Sequence, residues 1–179
     1  MTQDPTHAFA ENGSLRPVIF LDLDHVLITP RASRAAGEGA GMAEMFDPIA
    51  IRLLNRICKL TNAQLVLSTS HRDVPGICDI LRENGVTGDF HPDYKTDTGA
   101  GPRGAQIQRW LNAHPQVKAY CILDDLDKAS FLPGQHARHV QPPKNDGLSF
   151  QNFVDVLALF GIKPPRANIK FRYPPAPGE

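Results

Sequence analysis

Four short runs carry side chains able to do chemistry, and they fall at successive strand ends in one order. The first is Asp22-Leu23-Asp24-His25-Val26, after Val18-Ile19-Phe20-Leu21. Carboxylates two residues apart share one side of an extended chain, and acids in an apolar run need a proton or a cation beside them. Mg2+, held by carboxylate and phosphate oxygens, meets that need; seen alone, the same pair would also serve as caps for the next turn. The second run is Ser68-Thr69-Ser70-His71-Arg72, after Gln64 to Leu67. Hydroxyls and free N–H groups at a helix start bind an anion, or simply cap the helix. The third spans Thr96 to Gly104, where either Lys95 or Arg103 could reach a phosphate across the strand ends. Arginine in a first helical turn opposes the helix dipole and calls for a reason. The fourth is Asp124-Asp125 with Asp127, after Lys118 to Leu123. Adjacent carboxylates repel each other unless cations hold them, although acidic turns are common. Each run alone has an ordinary explanation. Acids, hydroxyls, a base and acids again at successive strand ends do not.

The elements that position these runs alternate. Ala50, Leu53, Leu54, Ile57 and Cys58 recur at helical spacing over 48–61, with Pro48 at a favourable first turn. A helix over 73–84 follows on Val74, Ile77, Cys78 and Leu81, stopped at Gly85. Ile107, Trp110 and Leu111 mark a helix from Arg103 to His114, and Phe150, Phe153, Val154 and Leu157 mark a last one ending at Gly161. This rhythm of strands and helices predicts an α/β fold: a three-layer, Rossmann-like, doubly wound parallel sheet with helices on both faces. In such sheets ligands bind beyond the carboxyl ends of the strands, where the four runs lie.

A chain of 179 residues, 41% hydrophobic and 21% charged, is sized for one domain with a true core. Its formal net charge of zero excludes partners held by a general electrostatic field, such as bulk nucleic acid or an anionic membrane. Cys58, Cys78 and Cys121 sit in apolar segments without metal-ligand spacing and read as buried thiols of a reducing compartment. With no targeting or membrane-spanning run, the expected location is cytoplasmic. The expected organisation is a polar N-terminal extension over 1–16, a domain over 17–162 and a proline-rich tail over 163–179. In that tail Ile169 to Tyr173 alternates apolar and basic residues, as a docked edge strand or a disordered segment would.

Through Asp22-Leu23-Asp24-His25-Val26, Thr69, Arg103 and Asp124-Asp125, the chain resembles the haloacid-dehalogenase (HAD) superfamily of phosphohydrolases over roughly residues 17–160. It is most similar to small bacterial members whose second motif runs into a serine-rich turn ending in arginine, as Ser68 to Arg72 does. The resemblance implies that Asp22 is a nucleophile forming an aspartyl-phosphate and that Asp24 is an acid, then a base. It further implies Mg2+ on Asp22, the Asp24 backbone carbonyl and Asp125, with Asp124 ligating through water or steadying the shell. Thr69 and the Ser70 N–H would bind the phosphoryl group, and Arg103 would neutralise its charge. Three positions depart from the usual pattern or leave it open. His25 stands where a small residue is usual, either filling a turn or facing the entrance. Arg103 stands where lysine is usual. Ser68, one residue from Thr69, is the other hydroxyl that could serve the second motif.

Only 45 positions separate Asp24 from Thr69, and 34 separate Thr69 from Arg103. Neither interval holds a separate cap domain, and the Gly- and Ala-rich part of the first, Ile28 to Asp47, reads as a mobile flap. A signalling receiver domain would need its phosphorylated aspartate where Ser68-Thr69-Ser70 stands, and a glycosyltransferase D-x-D motif would not bring the late Asp124-Asp125. The remaining alternative to a phosphatase is a binding or regulatory module of the same fold, distinguished by whether Mg2+-dependent phosphate release occurs. An open site gains a dry environment only when something covers it. The expected partner is therefore a macromolecular phosphate, on a nucleic-acid end or a phosphoprotein, or a second copy of the chain in a homo-oligomer; no membrane partner is expected.

Overall fold

The structure is a computed structural model and describes residues 16–165. Five parallel strands form one sheet: β1 (Val18–Leu21), β2 (Gln64–Leu67), β3 (Phe90–Lys95), β4 (Tyr120–Leu123) and β5 (His139–Val140). Their spatial order is β3-β2-β1-β4-β5, so β1 lies at the centre and the winding reverses beside it. Every residue of β1 is fully buried, as a strand covered on both faces requires.

The two faces divide the core by strand alternation. Ile19, Leu21, Leu65, Leu67, Cys121 and Leu123 pack in one cluster with residues of α2 (Pro48–Thr61), α3 (Ile77–Glu83) and α5 (Phe150–Leu159). Val18, Phe20, Val66 and Ile122 pack on the other side against Ile107 and Trp110 of α4 (Arg103–Ala113) and against Phe131. Phe20 meets the Trp110 ring edge-on at 5.2 Å. These are the three layers that the alternating pattern predicts.

Local signals set the helix ends. Asp47 caps α2, accepting from the N–H groups of Ile49 and Ala50 at 2.9 and 3.3 Å, and the helix closes at Asn62, a left-handed residue at φ 54°. Ser149 and Asn152 form a reciprocal capping box on α5. The helix expected over 73–84 begins only at Ile77, because the chain first makes a run of turns that ends on Gly76 at φ 69°. The Gly- and Ala-rich segment is more structured than its composition suggests. It carries α1 (Pro30–Ala36) and a 3-10 turn (Met42–Met45), and the Thr29 hydroxyl donates to Asp47 at 2.9 Å. Cys58 and Cys121 are buried, Cys78 is half-buried, and all three are free thiols.

Among the described residues, the intervals on either side of β2 contain no additional domain, and no helix is long and apolar enough to cross a membrane. The segments 1–15 and 166–179, including the alternating Ile169 to Tyr173, lie outside the described residues.

Gly104, beside Arg103 at the start of α4, presses onto the backbone of the chain that follows β4. A Cβ there would fall 2.6 Å from both Phe131 Cα and the Leu132 nitrogen, neither of which can move aside cheaply. Gly104→Ala should therefore destabilise the domain by about 1–3 kcal/mol, the usual cost of overpacking, as measured by urea denaturation.

Candidate active site

Strand register brings the four runs to one edge. Leu21 lies level with Leu67 on one side and Leu123 on the other. The backbone ladder continues one residue past each strand: Ser68 N–H donates to the Leu21 carbonyl (2.8 Å), Asp22 N–H to Leu123 (3.0 Å), Thr96 N–H to Leu67 (3.0 Å) and Asp124 N–H to Val140 (3.3 Å). Residues 22, 68, 96 and 124 thus stand in a row along the carboxyl edge of the sheet.

Asp22, Asp124 and Asp125 converge there. All three are buried, and one carboxylate oxygen from each lies within 4.8 Å of the other two. Arg103 reaches across from α4, donating through Nη1 to Asp22 Oδ1 at 3.1 Å and to Asp124 Oδ2 at 3.0 Å. The other Asp124 oxygen accepts from the Leu126 N–H at 3.0 Å, so both its oxygens are engaged while Asp125 has only Lys144 Nζ, 3.8 Å away. Burial, and after it the negative charge of Asp124, pushes the Asp22 carboxyl up to about 7; Arg103 and the Thr69 hydroxyl oppose the shift. Burial also raises Asp124 against the pull of Arg103. Three carboxylates face one buried guanidinium and one exposed ammonium, that of Lys144, so the cluster is short of positive charge. An all-oxygen donor set with that deficit fits Mg2+.

Asp24 lies differently, half exposed on the solvent side. Its carboxylate is 3.0 Å from His71 Nε2 and accepts from Ser70 Oγ at 3.4 Å. The chain reaches it through a tight turn in which the N–H groups of Val26, Leu27 and Ile28 all converge on the Leu23 carbonyl at 2.8–3.2 Å. His25 occupies this turn at φ 55°, the left-handed region that favours glycine. That accounts for the small residue usual at this place. The histidine ring is tied away to the 141–148 loop, with Nδ1 2.8 Å from the Lys144 carbonyl.

The turn after β2 supplies the hydroxyls. The Thr69 hydroxyl lies near enough to Asp22 to favour its carboxylate and accepts from the His71 N–H at 3.3 Å. The Ser68 hydroxyl is buried without a partner. Of the two basic candidates, only Arg103 enters the cluster; Lys95 is exposed and paired with Asp73 at 2.7 Å. Asp22, Asp24, Thr69, Ser70, Arg103, Asp124 and Asp125 therefore gather at one sheet edge. Sequence reasoning gave no role to His71, although it stands in the run singled out. It also passed over Lys144 and His139, whose Nε2 is 2.8 Å from the Asp124 carbonyl; neither carries a local signal.

Comparison with known families bears on the fold. Residues 18–153 match the family described as the HAD domain in Swiss Army Knife RNA repair proteins, and the chain belongs to that family. No curated protein and no solved structure matches the chain.

The raised Asp22 carboxyl links stability to pH. Its folded value of about 7 exceeds the ordinary 3.8, so in the metal-free protein the folded state keeps a proton that the unfolded chain has lost. Stability from this group is complete below about 4 and is lost as pH rises through about 7. The metal-free protein should melt at a lower temperature at pH 8 than at pH 5.5, and Asp22→Asn should flatten that slope.

Proposed function

Starting from membership of the HAD family, we propose that the chain is a Mg2+-dependent phosphomonoester hydrolase that works through an aspartyl-phosphate on Asp22. The observation that carries this reading is the buried cluster of Asp22, Asp124 and Asp125 around Arg103, with more carboxylates than cations. Asp22, Asp125 and the Asp24 backbone carbonyl would hold the metal, with Asp124, already bonded twice, steadying the set. When bound, Mg2+ supplies the charge that lets a phosphoryl dianion approach these carboxylates.

The chain's own groups then divide the work. An Asp22 carboxylate oxygen attacks phosphorus as the bond to the leaving oxygen breaks. The leaving oxygen takes its proton from Asp24, which sits on the solvent side with His71 and Ser70 fixing its carboxyl. Asp24 next accepts a proton from water, whose oxygen attacks the phosphoryl group and returns Asp22 as a free carboxylate. Thr69 and the Ser70 N–H, which has no acceptor among the described residues, bind the phosphoryl oxygens. Arg103 balances the charge that accumulates between Asp22 and the phosphoryl group.

For the substrate, the proposal is the terminal phosphate of a nucleic acid. The family's description as RNA repair favours that over a phosphoprotein. An edge without a cap domain admits a large leaving group, and a bulky substrate excludes water that a small metabolite would leave in place. A second copy of the chain closing the site would serve the same end. Measuring mass in solution, and screening 3′- and 5′-phosphorylated oligonucleotides beside phosphopeptides and metabolite phosphates, tests both.

Two substitutions test the roles. Asp24→Asn should cost roughly 10²–10⁴-fold with a poor leaving group and far less with an activated aryl phosphate; equal losses would mean that Asp24 only positions the site. Asp125→Ala should raise the Mg2+ concentration needed for half-maximal activity more than Asp124→Ala does, and the reverse order would exchange their roles.

A further inference from the structure

Beside the cluster lies a second guanidinium that the mechanism above leaves unused. Arg72 closes the turn after β2 and is only 7% exposed. Its Nη1 donates to the Thr96 hydroxyl at 3.3 Å, and its Nε is buried with no partner. Four charged groups act on it: Arg103, Asp73, Asp97 and Asp22. All three of those carboxylates already have a cation. Asp73 holds Lys95 at 2.7 Å, Asp97 grips Arg109 at 2.6 and 2.7 Å, and Asp22 holds Arg103. Burial, and then the repulsion of Arg103, makes the Arg72 charge costly, pulling its pKa below the ordinary arginine value. A buried arginine is nevertheless always charged in practice, and leaving such a charge unpaired is expensive.

A neighbouring group shares this condition. Thr96, the partner of Arg72, stands beside Ser68 at the edge shared by β2 and β3, and the Ser68 hydroxyl is likewise buried without a partner. Two unsatisfied polar groups therefore come from the same short run, on either side of Thr69 and Ser70. None of the three carboxylates that act on Arg72 is free to answer them. What the edge lacks on this side is an anion.

We infer that Arg72 is a second phosphate-binding cation of the site, gripping the transferred phosphoryl group from the β2–β3 side while Arg103 grips it from α4. The inference rests on the phosphatase reading and extends it with one residue. Two guanidiniums suit a dianion with three free oxygens, since each planar fork can take its own oxygens. A monoanionic phosphodiester offers fewer oxygens and half the charge. Arg72 would thus favour terminal phosphates over internal ones.

The test is Arg72→Met, which keeps the length of the side chain and removes the charge, with Arg72→Lys beside it. Binding is read without turnover, from the rise in melting temperature that inorganic phosphate with Mg2+ gives the wild-type protein. Turnover is read as KM for an aryl phosphate and for a 3′-phosphorylated dinucleotide. Arg72→Met should fold and melt no lower than wild type without phosphate, because an unpaired buried charge is gone. It should lose the response to inorganic phosphate and raise KM roughly 10–100-fold on both substrates, the factor that a charge-assisted hydrogen bond carries. Arg72→Lys should keep part of both. A variant that unfolds, or that melts lower yet still responds to phosphate with an unchanged KM, would make Arg72 a structural tie to Thr96 and overturn the inference. So would a loss confined to the dinucleotide, which would place the guanidinium on the neighbouring phosphodiester. If the wild-type protein responds to inorganic phosphate and Arg72→Met does not, while neither releases phosphate, the inference stands and the proposed activity falls.

Discussion

The structure depends on holding three carboxylates together, out of water, at the carboxyl edge of a parallel sheet. Asp22, Asp124 and Asp125 would repel one another and shed their charge if left alone, and the rise of the Asp22 carboxyl to about 7 expresses that tendency. Arg103 offsets only part of it. The rest of the fold is arranged to keep the group assembled. The central strand runs into Asp22, its neighbour runs into Asp124, and both aspartates are buried. A site built this way is destabilising by itself and suits a cation. That is the trade expected where electrostatic preorganisation serves a reaction.

Support for the cluster comes from parts of the chain far apart in sequence. Gly104 lets α4 approach the 131–135 segment closely enough for Arg103 to span two carboxylates. The 141–148 loop is laced to the turn after Asp24 by the His25 ring and by the Leu148 N–H, which donates to the Val26 carbonyl at 2.9 Å. The same loop brings Lys144 toward Asp125. Movement of that loop would change the Asp125 side and the Asp24 side together. His71 and Arg72, adjacent in the chain, go opposite ways: one to Asp24 at the mouth, the other inward to Thr96.

Much of this was legible in the sequence because the relevant signals are local. β1, β2, α2 and α4 show hydrophobic spacing long enough to identify, and Pro48 marks the start of its helix. Three of the site runs could be found because each follows an apolar strand directly, so strand order alone brings them to one edge. Other features had no such signal. β5 is two residues long and exists only because β4 offers it a partner. β3, with its polar Phe90–Lys95 run, lacks the apolar character of a central strand since it lies at the sheet edge. The choice between Lys95 and Arg103 turned on which side chain had a free path to Asp22, and the pairing of Lys95 with Asp73 is a tertiary fact. Arg72 was visible as a residue and not as a charge without a partner, because that property depends on where three separate aspartates find their cations.

The central claim is that Asp22 becomes covalently phosphorylated during turnover. The direct measurement is to mix the protein with Mg2+ and a phosphorylated substrate, reduce with borohydride, and map the product by mass spectrometry. Borohydride converts an acyl-phosphate to the alcohol and leaves free carboxylates untouched, so the account predicts homoserine at position 22, dependent on both substrate and Mg2+. Sustained phosphate release with residue 22 recovered only as aspartate, or with the reduction found at another acid, would contradict it.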